Sequence, residues 1–190
     1  AAGAGAAPPE TNMGAAAQEQ PARPAPRRPR RGGRGGFGGQ ITLGPDDKPA
    51  FDDPPAGFNE VRNDIPHGKV EMIQYDSKTV GTRRNMNVYT PPGYSAEQKY
   101  PVLYILHGIG GDETEWQRLC KPEAIMDNLM ADGKLEPMIV VMPNGRAQKN
   151  DRAEGNVFAA APAFANFEGD LLQDVIPAIE SRYSIIADRE

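Results

Sequence analysis

The chain carries one cysteine, Cys120, which excludes an intrachain disulfide and any cysteine-built zinc site. Histidine is almost as scarce. His67 and His107 stand alone, and no cluster of metal-ligand residues accompanies either, so neither a metal nor another cofactor is expected. No run of about 18 apolar residues exists, which leaves no segment to span a membrane. The chain starts at Ala1 and shows no apolar signal core, so either a leader was removed or the sequence is part of a longer product. The pattern G-x-S-x-G, which places a serine on a sharp strand-to-helix corner, is absent as well. Ser77, Ser95, Ser181 and Ser184 fall in a turn, a loop and the end of a helical stretch instead.

What is present is unevenly spread. Residues 1–60 hold ten of the 19 prolines and 11 of the 21 glycines, too much chain entropy for the little apolar surface there to offset. Residues 1–66 are therefore expected to be a disordered Pro/Arg/Gly-rich tail or linker. The foldable part runs over 67–190, enough for one modest core. Six arginines lie in residues 1–36, whereas the remainder is acidic and the whole chain carries a net charge of -5. An acidic folded part argues against a nucleic-acid partner. The segment Arg27–Gly39, RRPRRGGRGGFGG, reads first as a flexible linker. Its alternative is a non-catalytic binding segment for RNA or acidic surfaces.

Order is expected from His67 onward. Val70, Met72 and Gln74 alternate with polar residues as in a strand, and Met86 and Val88 alternate again after a turn over 77–81. Two such runs make an antiparallel hairpin. Pro101–Leu106, PVLYIL, and Met138–Met142, MIVVM, are short continuous apolar runs that suit strands buried on both faces of a parallel sheet. Between them, Pro122 suits a first helical turn, Ile125, Met126, Leu129 and Met130 fall at helical spacing, and Gly133 suits a C-terminal cap. Residues 146–165 read as a long irregular loop. Leu171, Leu172, Val175, Ile176 and Ile179 mark a second amphipathic helix, which Pro177 should kink or loosen. Strands alternating with helices indicate an α/β fold: a hairpin leading into a parallel sheet.

The strongest chemical signal is Leu106–Gly111, LHGIGG, directly after PVLYIL. Ligand sites in α/β sheets lie at the carboxyl ends of parallel strands. A glycine-rich bend there frees backbone N–H groups, and acyl transfer needs such donors where negative charge develops on a carbonyl oxygen. The candidate donor is the N–H of Ile109, supported by Gly108 and Gly110. His107 comes too early in the chain for the base of a serine hydrolase, whose order is nucleophile, acid, histidine, and reads as a structural residue of the bend. His67 reads as a surface residue and Cys120 as a packed thiol. Asp170 and Asp174 read as a solvated helix face.

Five segments, YDSKTVGTRRNMNVYTPPGY, KYPVLYILHGIGGDETEW, IMDNLMADGK, EPMIVVMPNGRA and FEGDLLQDVIPAIESRYSIIADRE, occur in the order found in a known family. The stretch 68–190 resembles the feruloyl and acetyl-xylan esterases of carbohydrate esterase family one, in the esterase D group, and within it the xylanase Z-type esterase domain. The resemblance implies an α/β-hydrolase fold, of which this chain is the N-terminal portion. It also implies a serine carboxylic-ester hydrolase that acts on feruloyl or acetyl esters of a polysaccharide such as xylan through an acyl-serine. It implies secretion or a periplasmic location, Ile109 as oxyanion donor, and Trp116 and Asn144 as residues bordering the cleft. The serine, acid and histidine would lie beyond Glu190. The alternatives are an S-formylglutathione hydrolase-like esterase and a catalytically dead hydrolase-fold module that binds carbohydrate. Purified as these 190 residues, the chain is expected to show no esterase turnover and to aggregate through an unpaired edge of PVLYIL. Robust hydrolysis of an aryl ester by the purified chain would contradict this.

Overall fold

A computed structural model describes residues 44–48 and 51–188. The Arg27–Gly39 segment, with the rest of the expected tail as far as residue 43, lies outside the described residues. In the short first stretch the Asp47 N–H closes a turn onto the Gly44 carbonyl at 3.2 Å.

The alternating runs form the expected hairpin. β1 (Lys69–Ser77) and β2 (Thr82–Thr90) pair antiparallel from Lys69 opposite Thr90 to Ser77 opposite Thr82. The side chains that β1 buries most deeply are Tyr75 and Ser77, while Met72 stays 54% exposed. Alternation in β1 was legible, but the better-buried face is the one carrying Ile73, Tyr75 and Ser77. β3 (Val102–Tyr104) and β4 (Ile139–Pro143) pair parallel, and β4 pairs antiparallel with β2, which gives the sheet order β1-β2-β4-β3. Every residue of β4 is buried, as its apolar run predicts. β3 departs from that expectation. It is the outermost strand among the described residues, and Leu103 and Leu106 remain 44% and 47% exposed. Only its entry is paired on the far side, where Tyr100 bridges to Ile185 in parallel.

α1 (Glu115–Leu119) and α2 (Pro122–Ala131) lie between β3 and β4 in sequence. Pro122 occupies the first turn of α2, where its missing N–H costs nothing. The helix ends in a Schellman motif. Gly133, at φ 67°, donates to Met130, and Lys134 donates to Leu129. Helix also replaces the second half of the expected 146–165 loop. A 3₁₀ turn over Val157–Ala160 runs into α3 (Ala161–Asp170). Alanine at 159, 160, 161, 163 and 165 has high helix propensity, and Pro162 again sits in a first turn. A π-helical turn, Leu171–Val175, then passes into α4 (Ile176–Glu180), so Pro177 loosens the helix ahead of it as expected.

Alternation along β4 divides the core into two layers. Ile139 and Val141 pack with Tyr75, Met86, Val88, Val175 and Ile179. Val140 and Met142 pack with Tyr89 and Met126 on the α2 side. Asn128 of α2 also donates to the carbonyls of Phe58 and Glu60, which holds the stretch before β1 against that helix.

Asp170 and Asp174 correct the sequence reading of a solvated face: both are buried. Spacing four apart places them on one side of a helix but does not say which way that side looks. Asp170 pairs with the fully buried Arg84 of β2 and accepts from the Tyr75 hydroxyl at 2.7 Å. Asp174 accepts from the Thr79 N–H at 2.9 Å and so holds the β1–β2 turn.

Replacing one member of the Arg84–Asp170 pair strands a buried charge, so Asp170→Ala should lower stability by about 3–5 kcal/mol. Changing both to apolar residues of similar volume should recover much of that loss, and urea melts of the three variants measure it. Burial pushes the Asp174 carboxyl up, but hydrogen bonds from Thr79 and its neighbours outweigh that and hold it below its ordinary value. A depressed carboxylate stabilises the fold above its unfolded value of about 3.9 and stops doing so as pH falls through the folded value. Asp174→Asn should therefore remove part of the loss of stability seen on acidification below about pH 4 in a pH series of such melts.

Candidate active site

The bend Leu106–Gly111 sits at the carboxyl end of β3, beside the loop that leaves β4 at Asn144–Gly145. His107 joins the two. Its Nε2 accepts the Gly145 N–H at 2.8 Å, which puts the ring proton on Nδ1. Nδ1 donates to the Gly108 carbonyl at 2.7 Å. Asn144 Oδ1 lies 3.2 Å from Nε2, with no proton between them in this tautomer. His107 is therefore a buried structural residue of the bend.

Each amide of the glycine bend can be followed. Gly108 N–H donates to Glu115 Oε2 at 2.7 Å, and Gly111 N–H donates to the Gly108 carbonyl at 2.9 Å. The N–H groups of Ile109 and Gly110 have no hydrogen-bond partner among the described residues. Ile109 itself is 38% exposed. A Cβ at position 111 would fall 2.0 Å from Glu115 Oε2, so a larger residue there would displace the carboxylate that holds the Gly108 amide.

Behind the bend lies Arg146, fully buried. Its guanidinium donates to the Ile109 carbonyl and, at 3.2 Å each, to the carbonyls of Gly111 and Asp151. It also lies 5.3 Å from the centre of the Phe164 ring. Arg84 donates to the carbonyls of Asn144 and Arg146 at 2.7 and 2.8 Å, so the buried pair beneath the sheet also holds this loop. Asn144 is fully buried, and its side chain is taken up by Glu113, the Asp151 carbonyl and the Arg146 N–H.

The acidic side chains directly after the bend are met by arginine. Arg152 joins Glu113, Asp151 and Asp112. Burial pushes the Asp112 carboxyl up, but the hydroxyl and N–H of Thr114 with two nearby arginines hold it below its ordinary value. Trp116 donates from Nε1 to the Leu106 carbonyl at 3.0 Å and lines a shallow pocket with Gly108, Glu115, Leu119 and Cys120. The serine hydroxyls found in hydrogen bonds serve their own surroundings: Ser77 the β1–β2 turn, Ser95 a loop amide and Ser181 a helix end.

Of the residues read from the sequence, Gly108, Ile109, Gly110 and Trp116 come together around one bend. Asn144 lies beneath it. Arg146 and Glu115 were not singled out, although both stand in recognisable segments. Their partners are backbone carbonyls and amides, which leave no spacing signal.

The Esterase family model, described as "Putative esterase", matches residues 77–189. An endo-1,4-β-xylanase/feruloyl esterase from Xylanibacter ruminicola is 39% identical over 139 residues, which cover 70% of this chain and 18% of that protein. A CE1 ferulic acid esterase from Anaeromyces mucronatus superposes with a TM-score of 0.63 at 30% identity, over 70% of this chain and 50% of its own. A serine-to-alanine variant of the feruloyl esterase module from Clostridium thermocellum, solved with sinapinate, superposes with a TM-score of 0.56 at 30% identity, over 73% and 44%. The chain thus spans half or less of the length of these relatives. Hairpin, parallel strands, flanking helices and glycine bend correspond to the α/β-hydrolase fold of the feruloyl esterases, and the chain belongs to the Esterase family.

Proposed function

We propose that this chain supplies the oxyanion side of a serine carboxylic-ester hydrolase that releases feruloyl or acetyl groups from a plant cell-wall polysaccharide such as xylan. One observation carries the reading: the two adjacent amides at Ile109 and Gly110, at the carboxyl end of β3, have no partner among the described residues, in a chain of the Esterase family. When a nucleophile adds to an ester carbonyl, the oxygen takes up negative charge. A donor already in place lowers that barrier without reorganising at the moment of reaction. Ile109 N–H is assigned that role, with Gly108 and Gly110 allowing the backbone to approach. Trp116 is assigned to the wall of the cleft, and Asn144 to the frame beneath it.

Residues 1–190 contain no G-x-S-x-G, and this reading assigns the acyl-accepting serine with its acid and histidine to sequence outside them. The names of the relatives favour feruloyl over other acyl groups. Xylan is too large to enter a cell, so the proposed reaction belongs outside the cytoplasm.

The test is reconstitution. The chain is co-expressed with the part of a homologous feruloyl esterase module that it does not span, and methyl ferulate hydrolysis is measured. Turnover is expected from the combination and not from either part. Replacing the Ile109 amide by a backbone ester, which deletes only the N–H, should lower kcat by about 10²–10³-fold. Unchanged kcat in that variant would remove Ile109 from the mechanism.

A further inference from the structure

A planar trans peptide points its N–H opposite to its C=O, so whatever holds the carbonyl also aims the amide. The two unpartnered N–H groups belong to the peptides 108–109 and 109–110. Both carbonyls of those peptides are held from the protein side. The Gly108 carbonyl accepts from His107 Nδ1, and the Ile109 carbonyl accepts from the Arg146 guanidinium. His107 and Arg146 are both buried, so the opposed N–H groups face away from the interior.

Resting on the oxyanion reading of this bend, we infer that Arg146, assisted by His107, is a positioning residue that aims and polarises the amides of Gly110 and Ile109. A cation bonded to one end of a peptide strengthens donation from its other end, because hydrogen bonds in series polarise one another. No carboxylate lies within ion-pair distance of the Arg146 guanidinium among the described residues; its partners are carbonyls and the face of Phe164. The positive charge is therefore directed into the backbone of the bend. A guanidinium suits this task because its planar fork reaches the carbonyls of Ile109, Gly111 and Asp151 together, which the single ammonium of lysine does not. Arg146 is itself held. Its N–H is bonded to Asn144, and its carbonyl accepts from Arg84.

Two measurements on Arg146→Ala and Arg146→Lys decide the matter. The first is hydrogen exchange by mass spectrometry on the full chain, at concentrations low enough to stay in solution. The bonded amides of Gly108, Gly111 and Gly145 report on the bend. Exchange in segments 105–113 and 143–150 should rise about tenfold or more, the effect of losing a charged hydrogen bond. Exchange in β1 and β2 should stay unchanged, whereas a general packing role would raise it everywhere. The second is kinetics of the reconstituted esterase. Here kcat should fall about 100-fold with KM unchanged, as for a misplaced catalytic group. Millimolar guanidinium should restore part of the activity of Arg146→Ala and none of the loss in a variant lacking the Ile109 N–H. Where Arg146→Ala does not fold, Arg146→Lys carries both measurements. A folded variant with unaltered exchange in the bend overturns the inference, as does one with unaltered kcat. If the wild-type combination hydrolyses no ester, the functional proposal fails, while the exchange measurement still decides the role of Arg146 in the bend.

Discussion

The buried pair of Arg84 and Asp170 is the constraint to which the loop after β4 and, through it, the glycine bend connect. Arg84 sits on β2 opposite Tyr75, near the β1–β2 turn, and Asp170 closes α3 a long way on in sequence. Neither side chain reaches water. Burying two charges is costly unless each finds its opposite and further hydrogen bonds. Both conditions are met here. Tyr75 bonds to both partners, and burial pushes its phenol well above its ordinary value, so it remains a neutral donor to Asp170. The second terminal nitrogen of Arg84 reaches the carbonyls of Asn144 and Arg146, while its Nε makes no hydrogen bond and lies 3.8 Å from an Asp151 carboxylate oxygen. The same guanidinium thus ties the hairpin to α3 and sets the loop after β4.

From that loop the order passes to the glycine bend. Gly145 fixes the tautomer of His107 through Nε2, and His107 fixes the Gly108 carbonyl through Nδ1. Arg146 fixes the carbonyls of Ile109 and Gly111. A bend rich in glycine has high conformational freedom, which is costly where a donor must be aimed. Side chains that grip its carbonyls remove that freedom without occupying the outward amides. This division of labour explains how buried arginine and histidine side chains can stand next to two N–H groups that have no partner among the described residues.

Much of this was legible from local pattern. Strand periodicity gave the hairpin, continuous apolar runs gave β3 and β4, and Pro122 with Gly133 bracketed α2. Helix was underestimated over 157–165, where alanine propensity and Pro162 outweighed the reading of a loop. The bend LHGIGG was recognised because glycine spacing after an apolar run is itself a local signal. Asp170 and Asp174 were misread as solvated, since a helix pattern with polar residues does not reveal that an arginine on a distant strand awaits one of them.

The sequence by itself determined the elements and the chemistry available to them: an α/β chain, a glycine bend at the end of a parallel strand, and a family signature over its folded part. Only the tertiary structure decided which way the amides of that bend face and what holds them. Those choices are made by carbonyls bonded to His107 and Arg146, and backbone atoms are the same in every residue. A contact built from them has no letter in the sequence and becomes visible only when remote segments are brought together.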